Sequence, residues 1–181
     1  MAHRALVERN GVSGKVIRVF IFDIDGVTER EGDYYGKIKK RFVYQKDKNA
    51  IFEYHGERDE RVKRILTFHE GHVTLGEGGK YGKIKATYLI DPSKTKITER
   101  IGGKYGHVIR TFIIDSQGIL EKEGEEYRDR RMFIFEKDGA TIKVREGGWF
   151  GKITQLFLGE GVSPTTFRDP EGFLQFLFYI D

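Results

Sequence analysis

The feature that most limits what this chain can fold into is a repeat. Seven units open at Gly14, Gly36, Glu60, Gly82, Gly106, Tyr127 and Gly151, 21 to 24 residues apart. Units recurring at this spacing are single supersecondary elements that bury an apolar face only by packing against their neighbours. In the unit running from Gly82 to Lys104, Ile84, Ala86, Tyr88 and Ile90 alternate with Lys83, Lys85, Thr87 and Leu89. That period of two is a strand with two distinct faces. Asp91-Pro92-Ser93-Lys94 is a turn, and Ile97, Glu99 and Ile101 begin a returning strand that Gly102-Gly103 ends. Each unit therefore reads as a β-hairpin. The expected fold is all-β, an antiparallel meander of about seven hairpins, either an open twisted sheet or a sheet rolled into a barrel.

The 181 residues suit one repeat-built domain, with a lead-in at 1–13, repeats over 14–158, a loop over 159–172 and an apolar closing segment at 173–181. In the lead-in, Leu6 and Val7 can begin an edge strand. The closing segment, Phe173-Leu174-Gln175-Phe176-Leu177-Phe178-Tyr179-Ile180, fits a buried strand or a short buried helix. Its aromatic content, and a seventh unit without a return strand, favour a strand.

Numbering each unit from its opening residue sorts the side chains. Position 7 is Phe20, Phe42, Leu66, Tyr88, Phe112, Phe133 and Phe157, and position 9 adds Phe22, Tyr44, Phe68, Ile90, Ile114 and Phe135. Position 3 (Val16, Ile38, Val62, Ile84, Val108, Ile153) is assigned to the same ladder, which reads as the core. Position 5 on that face is mostly basic. Folding each hairpin at its turn sets Arg18 opposite Glu31, Arg64 opposite Glu77, Arg110 opposite Glu123 and Arg131 opposite Glu146, four expected cross-strand ion pairs. The opposite face gathers cations. Lys15, Lys37, Lys39, Lys63, Lys83, Lys85 and Lys152 form a stripe able to attract a polyanion, either a phosphate backbone or anionic lipid headgroups.

Several functional classes are disfavoured. There are no cysteines, hence no disulfide or thiolate metal site. No run of 18 apolar residues suggests a transmembrane helix, and the polar lead-in is unlike a signal peptide, which points to the cytoplasm. His69 and His72 form an H-x-x-H pair in a turn, which would need a third ligand to bind metal; no metal or cofactor is expected. Val19-Phe20-Ile21-Phe22-Asp23-Ile24-Asp25-Gly26-Val27 resembles the first motif of the haloacid dehalogenase superfamily. That resemblance implies Asp23 as nucleophile, Asp25 as acid/base and a bound Mg²⁺. The repeat assigns the same residues to a turn, because Asp23 aligns with Asp91 and Asp115, and Gly26 with Gly118 and Gly139.

A second resemblance covers roughly residues 14–158. The aromatic–Gly junctions Tyr34-Tyr35-Gly36, Lys80-Tyr81-Gly82, Lys104-Tyr105-Gly106 and Trp149-Phe150-Gly151, at this period, are similar to MORN-type hairpin repeats. The resemblance implies an elongated twisted sheet used for protein or lipid contact. The function expected is that of a non-enzymatic structural or interaction protein. It would meet a protein partner, self-associate at its sheet edges, or bind anionic lipid or nucleic acid through the basic face. The alternative is a barrel enzyme or small-ligand carrier with an aromatic-lined pocket, for which Arg110, Glu121, Glu123 and Tyr88 are the candidate polar groups.

Overall fold

The structure, a computed structural model, describes residues 4–79 and 82–181. His3, and Lys80 and Tyr81 of the second aromatic–Gly junction, lie outside the described residues. The expected hairpins form. In chain order the strands are β1 (Arg4–Asn10), β2 (Val16–Phe22), β3 (Gly26–Glu31), β4 (Ile38–Gln45), β5 (Ala50–His55), β6 (Val62–His69) and β7 (His72–Glu77). They continue as β8 (Ile84–Ile90), β9 (Lys96–Ile101), β10 (Val108–Ile114), β11 (Gly118–Glu123), β12 (Asp129–Phe135), β13 (Thr141–Glu146) and β14 (Ile153–Glu160). Each pairs antiparallel with the next, and β1 pairs with both β14 and β2, so the sheet closes into a barrel. The lead-in is thus no edge strand. It supplies the return strand that the seventh unit lacks, and closure removes the sheet edges through which self-association was expected.

Four of the six hairpin turns at one end share a device. The Asp23 carboxylate accepts hydrogen bonds from the backbone N–H groups of Asp25 and Gly26, and Asp115 does the same for Gln117 and Gly118. Asp138 holds the N–H groups of Ala140 and Thr141, and Asp91 those of Thr95 and Lys96. These carboxylates serve the backbone, which replaces the roles the dehalogenase-like motif implied for Asp23 and Asp25.

At the other end each repeat carries a β-bulge. The register skips the residue at position 4 in every unit: Ile17, Lys39, Lys63, Lys85, Ile109, Arg130 and Thr154. The carbonyl so displaced is not orphaned. Gly32 N–H bonds Ile17 at 2.8 Å, and Gly11, Gly56, Gly78, Gly102, Gly124 and Gly147 do the same for the other six. All of these except Gly78 have φ between 55° and 78°, the left-handed region where a side chain is strained. The bulge also corrects the sequence pattern. An extra residue shifts everything before it by one, so position 3 leaves the core face. Val16 packs outside, against Ala5, Val7 and Val19, and Ile84 is 53% exposed.

Position 7 keeps its place. Phe20, Phe42, Phe112, Phe133 and Phe157 are completely or almost completely buried inside the barrel. What they pack against is the closing segment, and it is a helix rather than a strand: α1, Pro170–Ile180. A short 3₁₀ turn at Pro164–Arg168 leads into it. The Asp169 side chain caps its N-terminus, Pro170 sits in the first turn, and Glu171 follows. Phe173, Leu174, Phe176, Leu177, Phe178 and Ile180 are all buried, leaving only a narrow stripe at Glu171 and Gln175 less covered. Ring pairs tie it to the wall: Phe173 to Phe133 at 5.1 Å, Phe176 to Phe157 at 5.0 Å and Phe178 to Phe42 at 5.5 Å.

Candidate functional site

Where α1 ends, the lumen changes from aromatic to charged. Going round the wall, the inward side chains at this level are Glu8, Arg18, Glu29, Lys40, Glu53 and Arg64 on β1–β6, then Leu75 and Ala86. Glu99, Arg110, Glu121 and Arg131 follow on β9–β12, with Val144 and Gln155 last. Glu8, Glu29, Glu53, Glu99 and Glu121 are buried, and five cations alternate with them.

The registers expected from sequence are all present: Arg18 lies opposite Glu31, Arg64 opposite Glu77, Arg110 opposite Glu123 and Arg131 opposite Glu146. The ion pairs are not. Arg18 bonds Glu8 at 2.5 Å and reaches Glu29 at 3.4 Å; Arg64 bonds Glu53 at 2.5 Å. Arg110 spans Glu99 at 3.1 Å and Glu121 at 3.4 Å, and Arg131 bonds Glu121 at 2.7 Å. Each arginine instead meets the glutamate registered opposite it on the preceding strand, Glu8, Glu53, Glu99 or Glu121, and Arg18 and Arg110 also reach, at 3.4 Å, the glutamate two residues nearer the turn on the following strand. Glu31 and Glu77 pair instead with Lys39 and Lys85, and Glu123 with Arg128 and Arg130.

The charged belt also holds the helix. Arg18 donates to the Ile180 carbonyl at 2.7 Å and Arg64 to the Phe178 carbonyl at 3.1 Å, satisfying groups that a helix end leaves free. Arg131 binds both Asp181 oxygens at 3.2 and 3.3 Å, and Arg110 lies 3.6 Å from one of them. Cations at a helix C-terminus also oppose its dipole.

The candidate polar groups Arg110, Glu121 and Tyr88 do come together here, whereas Glu123 sits outside them at the rim. Burial would lower the Arg110 pKa, but Glu99, Tyr88 and Glu121 together hold it above its ordinary value. For Arg131 burial is likewise outweighed, by Asp181 and Glu121. Burial, reinforced by the Glu99 charge, drives the Tyr88 hydroxyl upwards. These shifts lock each group in its resting state, the reverse of what proton transfer near neutral pH needs. A cleft of about 810 Å³ opens beside them, lined by Arg110, Glu121, Arg131 and Glu146 among others. Glu8, Glu29, Glu53, Glu99 and Asp181 are the members that pattern reading missed. Their signal was available: a glutamate recurs at one place in most return strands, and Glu8 precedes Gly11 as Glu29 precedes Gly32.

The seven candidate lysines lie elsewhere. They do not stripe the outer wall. Lys15, Lys37, Lys83 and Lys152 lie just ahead of their strands in the Gly-rich connections, and Lys39, Lys63 and Lys85 occupy the bulges. All therefore gather at the bulged end. Because β14 joins β1, the connection carrying Lys152 neighbours the one carrying Lys15, and five consecutive connections form one arc. Lys39 and Lys85 are ion-paired; among the described residues, Lys15, Lys37, Lys63, Lys83 and Lys152 form no ion pair, although the Lys63 charge helps to lower the Asp59 pKa. At the tight-turn end, His69 and His72 stack face to face, 4.5 Å apart. Partial burial, His72 and then Lys104 lower the His69 pKa. Among the described residues no group of three or more His, Cys, Asp or Glu is arranged to hold a metal. Among the described residues no helix is long and apolar enough to cross a membrane. Comparison with protein families, curated proteins and solved structures finds no significant match.

Proposed function

We propose that this barrel is a non-enzymatic interaction module whose lysine arc binds an anionic partner. The observation that carries this reading is the sorting of charge. The half-buried cations of the belt are neutralised by glutamates, while among the described residues five lysines on one arc of the bulged end have no carboxylate within ion-pair distance. Unpaired lysines at neighbouring connections sum to a local positive field, and a polyanion releases counterions when it binds them. Binding of a phosphate polymer or of phosphatidylserine vesicles is expected to weaken as salt rises. Lys83→Glu combined with Lys152→Glu should lower the slope of log affinity against log salt by roughly 1–2 units, measured by fluorescence titration. An unchanged slope would remove the lysine arc from the account. The rival reading, catalysis by Arg110, Glu121, Glu123 and Tyr88, has less support, because Arg110 and Glu121 are committed to holding α1 and each other.

A further inference from the structure

The packed lumen is incomplete at the tight-turn end. A cleft of about 320 Å³ separates α1 from the wall formed by β4, β5 and β6, a size that suits a small organic molecule. Its walls are aromatic: Phe42, Phe68 and Tyr179 are buried, and Tyr44 is the member most exposed to solvent.

The helix turns its one polar stripe to this cleft. Glu171, Gln175 and Tyr179 are spaced by four residues on α1, and all three line it. Gln175 is the only amide in an otherwise apolar run, and its side chain makes no hydrogen bond among the described residues. Tyr179 is 7% exposed, and its hydroxyl likewise has no hydrogen-bond partner among them; burial alone raises its pKa. The Tyr179 hydroxyl and the Gln175 amide thus bring to the cleft hydrogen-bonding capacity that water or a ligand can take up. The opposite wall is already satisfied, since Asn49 accepts from the Tyr44 hydroxyl at 3.0 Å and donates to the Phe68 carbonyl at 3.0 Å. The unmet hydrogen-bonding capacity is therefore confined to the helix side.

Charge at the opening adds a preference. Glu171 also borders an adjoining cleft of about 480 Å³, where Glu70, Asp91 and Asp169 meet a single basic residue, Lys94. A cation entering there meets carboxylates first and aromatic faces second.

We infer that the cleft between α1 and β4–β6 is a binding site for a small aromatic amine. The ring lies among Phe42, Tyr44 and Phe68, a ring hydrogen-bonding group engages Gln175 and Tyr179, and the ammonium faces Glu171. This inference is independent of the lysine arc, which lies at the other end of the barrel.

The test uses the full chain with tryptamine, indole and indole-3-acetate as probes, followed by NMR titration of the Gln175 side-chain amide. Tryptamine is expected to saturate with a dissociation constant between about 10 µM and about 1 mM, ordinary for a ligand of a dozen heavy atoms. Indole should bind more weakly and indole-3-acetate most weakly. Glu171→Gln, a solvent-side change, should narrow the preference for tryptamine over indole. Tyr179→Phe, which deletes only the unpartnered hydroxyl, should weaken tryptamine at least about fivefold without lowering the melting temperature of the free protein. The site is overturned if no probe saturates by about 10 mM, or if tryptamine binds with equal affinity to the wild type and both variants.

Discussion

Glu29 and Glu53 occupy equivalent places in successive repeats, yet their surroundings push them in opposite directions. Burial raises the Glu29 pKa more than Arg18 and Lys40 lower it, because its contact to Arg18 is long, at 3.4 Å. Burial acts on Glu53 too. There the Arg64 hydrogen bond and charge, with Lys40 and His55, bring it below the ordinary carboxylate range. The folded chain thus binds the Glu29 proton more tightly than the unfolded chain does, and ionised Glu29 costs stability at neutral pH. Glu53 does the reverse: its contribution is full above the unfolded value and is lost as pH falls through its lowered folded value. Glu53→Gln should destabilise by about 3–5 kcal/mol at pH 7, since Arg64 and Lys40 are left without their buried partner. Glu29→Gln should be neutral or slightly stabilising at pH 7, and its difference from wild type should vanish in acid. Urea denaturation of both variants between pH 3 and pH 7 reads these signs directly. Equal losses at pH 7 would show that position in the belt, rather than closeness of pairing, sets the energy.

At the level of elements, α1 is both the core and the part that pattern reading misassigned. Its eight residues from Phe173 to Ile180 hold one polar side chain other than tyrosine, Gln175, and a segment so nearly apolar throughout gives too little contrast for a helical period to be told from a strand. The neglected signal stood at its start, where Asp169-Pro170-Glu171 is a cap, a first-turn proline and an acid that suits the helix dipole. Phe176→Ala should cost about 3–5 kcal/mol, as it empties a space shared with Phe133, Phe157 and Phe167. Asp169→Ala should cost only about 1 kcal/mol through the lost cap. Thermal unfolding distinguishes them. The bulges were unreadable for another reason. A residue at position 4 looks like an ordinary member of an alternating strand until its neighbour's register is known. Only the displaced carbonyl of Ile17, taken up by Gly32, shows that the alternation has slipped.

For the whole molecule, closure is the consequential event. It turns β1 and β14 into interior strands, so native-state hydrogen exchange should find their central amides protected as strongly as those of β6 or β10. Early exchange confined to β1 and β14 would indicate a seam that opens. Closure also places the first and seventh connections side by side, and so makes one arc of Lys15 and Lys152, residues distant in sequence. The sequence alone determined the local half of the protein: the hairpin period, the Asp-led turns, the position 7 aromatics as core, and the cross-strand registers. All depend on neighbours within a unit, where alternation and turn chemistry act over a few residues. Tertiary structure decided what needs the circuit to be complete. The pairing of β1 with β2 chose Glu8 over Glu31 as the main partner of Arg18. The lumen width admitted a helix where a strand was expected, and the enclosed space left Gln175 and Tyr179 facing a cleft. These depend on the radius, tilt and shear of the closed sheet, quantities that no single repeat contains.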